Sequence, residues 1–246
     1  GNGSDHYIVL QDAETKKELG RCAQGYSLAS ILVHQKTAYI FASRWEKSGW
    51  QDVTLFKSRD LQNWQQKIVV KGEKEGLFNS SVCQGKEGFV MAYESDDQNY
   101  TPFTVKFAIS KDLDNWQKVP DTVFGANRYA ACPVIRYVDG YYYLLYLEHR
   151  KPRWVFETYI ARSPDFKRWE LSSANPVLRA QGLEEGINAS DPDLIQYNNQ
   201  TLLYYAVGDQ LSWMNVKRAV FPGSLASFLK SWFVVPGIPD HSRIAK

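Results

Sequence analysis

Hydrophobic positions along the chain fall into short runs rather than long stripes. The runs "AYIFAS" (38–43), "FVMAYE" (89–94), "YYYLLYLE" (141–148) and "LLYYAVGDQ" (202–210) are rich in β-branched and aromatic residues and are bounded by polar turn residues. That is strand chemistry. Ahead of each lies another short run, "SILVH", "SSVCQ", "PVIRYVDG" or "PDLIQYNN", and behind each comes a third, "VTLFKS", "FTVKFAIS", "FETYIARS" or "NVKRAV". The third run feeds a seven-residue module: "SRDLQNW" at 58–64, "SKDLDNW" at 110–116 and "SPDFKRW" at 163–169, with a degenerate copy, "PGSLASFLKSW", ending at Trp232. Trp64, Trp116 and Trp169 lie 52 and 53 residues apart, too long for leucine-rich, ankyrin or tetratricopeptide units and close to the size of a propeller blade.

The repeating unit is therefore strand, turn, strand, loop, strand, turn, strand, and four units fill residues 26–232. The pattern predicts an all-β, five-bladed β-propeller over residues 1–246, read as a single domain. Four blades are clear, and the fifth is either assembled from the two ends or truncated at the termini. "HYIVLQDAETKKELGRC" reads as the outer half of a blade, and "FVVPGIPDHSRIAK" as the segment that would fold back to complete it. Each module is predicted to lead into an outer strand. Its Asp turns a carboxylate onto nearby backbone N–H groups, as Asx turns do, and its Trp anchors the outer strand against the neighbouring blade. These residues read as scaffold, so function belongs elsewhere in the blade.

Composition narrows the picture further. A chain of 246 residues suffices for one large all-β domain, and an aromatic content of 14% suits many short strands filling a radially packed interior. A net charge of +2, with no basic stripe, gives no footprint for nucleic acid. No run reaches transmembrane length, and "GNGSDHYIVL" lacks the regions of a signal peptide. The chain as given reads as soluble, cytoplasmic or exported with its signal removed, and no membrane partner is expected. Cys22, Cys83 and Cys132 have no CxxC or zinc-finger spacing and are expected to act as small buried hydrophobes. No cofactor or metal is expected, because no ligand spacing supports one.

Propeller blades converge on a central channel, so the starts of the innermost strands and the ends of the second strands are where chemistry gathers. Those places read "GLFNSSVC", "RYAACPV" and "GINASDPDL", together with the second-strand ends, and they carry Asn79, Tyr129, Asp191, Glu94, Glu148, His149, Arg150 and Asp209. Strand alternation puts Asp191 and Asp193 on one face and Pro192 on the other. A carboxylate facing a crowded channel is costly unless it is paired or used.

The segment "EGINASDPDLIQYNNQTLLYY" resembles the inner-strand signature of the five-bladed propeller glycoside hydrolases, the superfamily of families 43, 32, 62, 68 and 117. There an Asp-Pro at the mouth of a blade's first strand, followed by "DG.YYL.Y", places a carboxylate at the sugar. "CPVIRYVDGYYYLLYLE" fits the pattern without its Asp, and "NPVL" at 175–178 is common in the superfamily. The resemblance implies three acids: a base Asp, a second Asp that tunes and orients, and a general-acid Glu. Only Asp191 matches residue for residue. The other mouths read "SLASIL", "FNSSVC" and "YAACPV", with Ala, Ser, Asn or Cys where an Asp is expected.

Glycoside hydrolysis needs one carboxylic acid to protonate the leaving oxygen and a second carboxylate to activate water or attack the anomeric carbon. An aromatic-lined channel would raise the pKa of the acid. The resulting assignment is Glu148 as acid, Asp191 as base or nucleophile and Glu94 as orienter, with carbohydrate as the partner. Arg44, Trp45, Asn79, Arg128, Tyr129, His149 and Asp209 are the substrate-binding candidates, Trp45 offering an apolar face to a sugar ring. Two other readings stand beside this one: a propeller that binds carbohydrate without cutting it, and a protein-interaction scaffold. In a purely structural role Glu148 would pair with Arg150 or Arg153 and Asp191 would cap a turn.

Overall fold

A computed structural model describes residues 6–101, 103–151 and 154–233. The protein is all-β, with 59% of residues in strands and 4% in helix. Two compact units divide the chain, Gly1–Asn127 and Arg128–Lys246.

The first unit opens with an antiparallel hairpin of β1 (Ile8–Gln11) and β2 (Glu18–Cys22). Two four-stranded antiparallel sheets follow. One holds β3 (Ser27–His34), β4 (Thr37–Glu46), β5 (Gly49–Ser58) and β6 (Gln65–Val70) in chain order. The other repeats that order with β7 (Leu77–Gly85), β8 (Gly88–Ser95), β9 (Thr104–Ser110) and β10 (Trp116–Phe124). Phe41, Leu55, Leu77, Met91 and Leu113 fill the space between these sheets and are fully buried.

In the second unit β11 (Ala131–Val138), β12 (Tyr141–His149), β13 (Phe156–Ser163), β14 (Glu170–Leu171), β15 (Asn188–Tyr197), β16 (Gln200–Gly208) and β17 (Met214–Phe221) belong to one sheet. Two blades merge there because β13 and β15 pair in parallel at Glu157 and Ala189. The seam is tied by Phe156 N donating to Asn188 Oδ1 at 2.7 Å and Thr158 Oγ1 donating to the Ala189 carbonyl at 3.0 Å. Residues Asp139 and Gly140 between β11 and β12, and Asn198 and Asn199 between β15 and β16, all have positive φ. Such two-residue turns match the right-handed twist of the strands they join.

The three modules share one geometry. Leu61, Leu113 and Phe166 are left-handed, with φ of 61°, 68° and 63°. The indole N–H of Trp64, Trp116 and Trp169 donates to the carbonyl of that residue at 3.2, 2.8 and 2.9 Å. In each, the Asp carboxylate accepts from two backbone N–H groups further along the turn. Trp116 meets Phe41 of the preceding sheet edge to face, and Trp64 packs against the β1–β2 hairpin through Ile8, Leu10 and Cys22. The anchoring role read from the sequence is what these two do.

Two blades depart from the expected four strands. After Trp169 the outer strand, β14, is only two residues long. The degenerate fourth module is a helix, α1 (Leu225–Ser231), whose N-cap Ser224 accepts from Ser227 N at 3.0 Å. Leu225, Phe228, Leu229 and Trp232 recur at the helical period, and the last three are buried. The tail from 234 onward, expected to complete a fifth blade, lies outside the described residues. Among the described residues no helix is long and apolar enough to cross a membrane.

Candidate functional site

Every innermost strand starts with the same irregularity. The register shifts between Ser27 and Ser30, Phe78 and Ser81, Ala131 and Val134, and Ser190 and Asp193. Inside each shift one residue is left-handed: Leu28, Asn79, Cys132 and Asp191, with φ of 56°, 43°, 47° and 48°. A bulge of this kind re-aims a side chain at a strand end. Left-handed backbone costs an L-residue roughly 1–2 kcal/mol, least for Asn and Asp. The mouth position is therefore a structural constant, and its occupants are Leu, Asn, Cys and Asp.

In the second unit Asp191 is held by neutral donors. Its Oδ1 accepts from the Cys132 thiol at 3.0 Å, and its Oδ2 accepts from Ser190 Oγ at 2.6 Å and from Gln210 Nε2 at 3.4 Å. Gln210 also donates to Ser190 Oγ at 2.7 Å. Asp191 and Asp193 are both exposed and Pro192 is buried, as alternation requires. Asp193 pairs with Arg136 at 2.6 Å. Cys22 and Cys83 are buried as expected, but Cys132 is not a core residue: the bulge turns it out of the strand and onto Asp191.

Glu148 ends β12 half-buried. Its Oε1 accepts from Arg128 Nη1 at 3.0 Å and from the Tyr146 hydroxyl at 3.2 Å. Burial, and then the neighbouring Glu148, push the Tyr146 hydroxyl pKa well up, so Tyr146 stays a donor. The partner of Glu148 is thus Arg128 rather than Arg150; Arg153 lies outside the described residues. Arg150 instead donates to the Tyr159 hydroxyl at 2.9 Å and faces Glu157 at 3.6 Å, which Arg179 approaches at 3.4 Å. Glu148 and Glu157 are direct cross-strand partners. Like charges so placed repel, and the three arginines offset this.

The rest of the mouth of this unit is aromatic: His149 stacks on Phe156 at 5.0 Å and meets Tyr129 at 5.8 Å and Trp154 at 5.2 Å. Asp209 faces its own turn. Ser212 Oγ and the backbone N–H groups of Leu211, Ser212 and Trp213 donate to its carboxylate and hold its pKa far below the usual range.

In the first unit Asn79 Nδ2 donates to Glu94 Oε2 at 2.8 Å, and Glu94 is buried. Arg44 pairs with Glu46 at 3.3 Å on an exposed hairpin tip. Trp45, 61% exposed, stands edge-on to Trp50, which stacks on Phe78. Among the described residues no three His, Cys, Asp or Glu side chains are grouped to hold a metal ion.

The sequence reading missed Cys132, Tyr146, Glu157, Arg179 and Gln210 as parts of the site. Glu157 was findable: "FETYIARS" carries a charge in an otherwise apolar strand, mirrored by Glu148 across the intervening loop.

With this arrangement of sheets and mouths, the fold is that of the five-bladed β-propeller glycoside hydrolases of the family 43 and family 32 type. Among similar solved structures, BT0996 in complex with RGII superposes with a TM-score of 0.68 at 15% identity, over 87% of this protein and 77% of that one. A thermostable family-43 glycoside hydrolase gives a TM-score of 0.60 at 17% identity, over 80% and 69%. An exo-1,5-alpha-L-arabinanase from a bovine ruminal metagenomic library gives 0.60 at 14% identity, over 80% and 74%. No protein-family model and no curated protein matches the sequence.

Proposed function

We propose that the protein hydrolyses a glycosidic bond in an oligo- or polysaccharide of plant or microbial origin at the mouth of its second unit. The observation that carries this reading is that the first residues of β11 and the turn before it touch two carboxylates: Arg128 holds Glu148, and Cys132 holds Asp191. Asp191 receives only neutral donors, which fits a base or nucleophile that must be charged and available. Glu148 has Oε1 occupied, and no described residue bonds its Oε2. That leaves Oε2 to carry the proton a leaving oxygen needs. The carbohydrate complex among the similar structures and the aromatic lining of Tyr129, His149 and Trp154 support a sugar as ligand.

The test is turnover of aryl arabinosides, xylosides and galactosides. Asp191→Asn should lower kcat/KM by several powers of ten with little loss of fold. Glu148→Gln should do the same for poor leaving groups and much less for activated aryl ones. Equal losses on both leaving-group classes would remove Glu148 from the acid role.

Binding without cleavage is the second reading. Its support is specific: three of the four mouth bulges carry Leu28, Asn79 and Cys132, and only one carries a carboxylate. A parent protein that binds sugar but turns over no glycoside would establish it.

A further inference from the structure

A separate groove of about 690 Å3 lies in the first unit, between the start of β5, the loop joining β6 to β7, and the loop after β8. Its size is that of a small-ligand site. Trp50 forms one wall, locked by its stacking on Phe78 at 5.2 Å. The 71–76 loop forms the other, pinned at both ends: Gly72 N donates to Asp52 Oδ1 at 2.7 Å and Gly76 N to Asp96 Oδ1 at 2.6 Å. Between these points Glu75 is held by Lys106, Lys118 and Ser95. Gly76 lies so close to the wall that a Cβ there would sit 3.0 Å from Trp50 and 2.9 Å from Asp96 Oδ2. The groove is thus built and held open in advance of any ligand.

What faces into it decides the class of ligand. Asp52 and Asp96 each keep one carboxylate oxygen that no described residue bonds. Gln51 and Gln98 use their amide N–H groups locally and leave their carbonyl oxygens over. Lys71 and Lys74 supply donors from the loop. Neither sign of charge dominates, since these two ammonium groups stand with the carboxylates of Asp52, Glu73 and Asp96. A strongly charged ligand of either sign would meet its own sign there. A neutral polyhydroxylated one meets acceptors, donors and an indole wall, the combination that sugar hydroxyls and C–H faces require.

We propose that this groove binds a neutral segment of a polysaccharide, as a second carbohydrate site independent of any hydrolysis in the other unit. It is a holding site: nothing in it is placed to break a bond.

Affinity electrophoresis of the whole protein in gels cast with arabinan, xylan or galactan tests this. The parent should be retarded by at least one of the three. In Asp52→Asn/Asp96→Asn each residue keeps an oxygen for the glycine N–H and presents a donor where the groove had an acceptor. That variant should lose retardation at least tenfold while melting like the parent. Trp50→Phe keeps the stack on Phe78 with a smaller ring and should lose about threefold or more. Asp191→Asn should be retarded like the parent. The proposal is overturned if no gel retards the parent, if the Asp52/Asp96 variant is retarded normally, or if Asp191→Asn alone abolishes retardation. A parent that is retarded yet cleaves no aryl glycoside would sink hydrolysis and leave this site standing.

Discussion

Asp112→Ala tests whether the repeated module is scaffold. The Asp112 carboxylate accepts from Asp114 N at 2.9 Å and from Asn115 N and Nδ2 at 2.8 Å each. The Asn115 side chain first, and then its backbone N–H, hold this carboxyl down from 3.8 to about 2. For a buried group such a shift would correspond to roughly 2–3 kcal/mol; Asp112 is exposed, and solvent screening leaves about 1 kcal/mol. The net worth of the lost hydrogen bonds, about 1 kcal/mol, describes the same effect from the other side. In a protein of this length that lowers Tm by about 2–4 °C at neutral pH. The folded-state pKa is depressed, so the stabilisation is present above the unfolded value near 4 and is lost as pH falls toward 2. Melts followed by circular dichroism at neutral pH and at steps from about pH 4 to 2 should show the gap between parent and variant closing. A gap that stays open at pH 2, or one below about 0.3 kcal/mol at neutral pH, refutes the argument. Ligand binding should be unchanged; loss of ligand at an unchanged Tm would move the module from scaffold to site.

Leu28 occupies a left-handed bulge and is 37% exposed, so Leu28→Asn should relieve strain and raise stability by about 0.5–1 kcal/mol in urea denaturation; a destabilised variant would show that Leu28 packing outweighs the backbone. Arg128→Met removes the cation that meets half-buried Glu148 at 3.0 Å and should cost about 1–2 kcal/mol, less than a fully buried pair. Glu148→Gln in the same background should restore part of that loss, and a double variant no more stable than Arg128→Met would break the pairing argument.

Strands and modules were legible because their signals are local. Each run is short, apolar and bounded by turn residues, and the Ser, Asp and Trp of the module act on backbone within a few residues of themselves. The helix α1 was hidden by the repeat itself: "SLASFLKSW" aligns with a strand-leading module, yet Leu225, Phe228 and Leu229 follow the helical period and Ser224 caps it. Site geometry was legible only in part. Alternation correctly kept Asp191 with Asp193, but a bulge inserts a residue without changing the apolar pattern on either side, so the left-handed turn at all four mouths left no trace in the periodicity. Cys132 and Asp191 are 59 residues apart in sequence, and nothing local announces that a thiol and a carboxylate will meet.

The register of the sheets explains why one blade can carry both a repeated scaffold and a variable mouth. Within the third blade Tyr142 pairs with Ser163, the first residue of the module, while His149 pairs with Phe156 at the mouth. Those two rungs are separated by the length of β12, roughly 20 Å at about 3.3 Å per residue. In the second blade Phe89 pairs with Ser110 and Glu94 with Val105, the same separation of ends. The module fixes the outer turn and the tryptophan behind it, and the bulge fixes the backbone of the mouth whichever residue stands there. Leu, Asn, Cys and Asp are therefore exchangeable at the mouth at a cost of backbone strain alone, and the chemistry of each blade rests on one residue that the fold does not dictate.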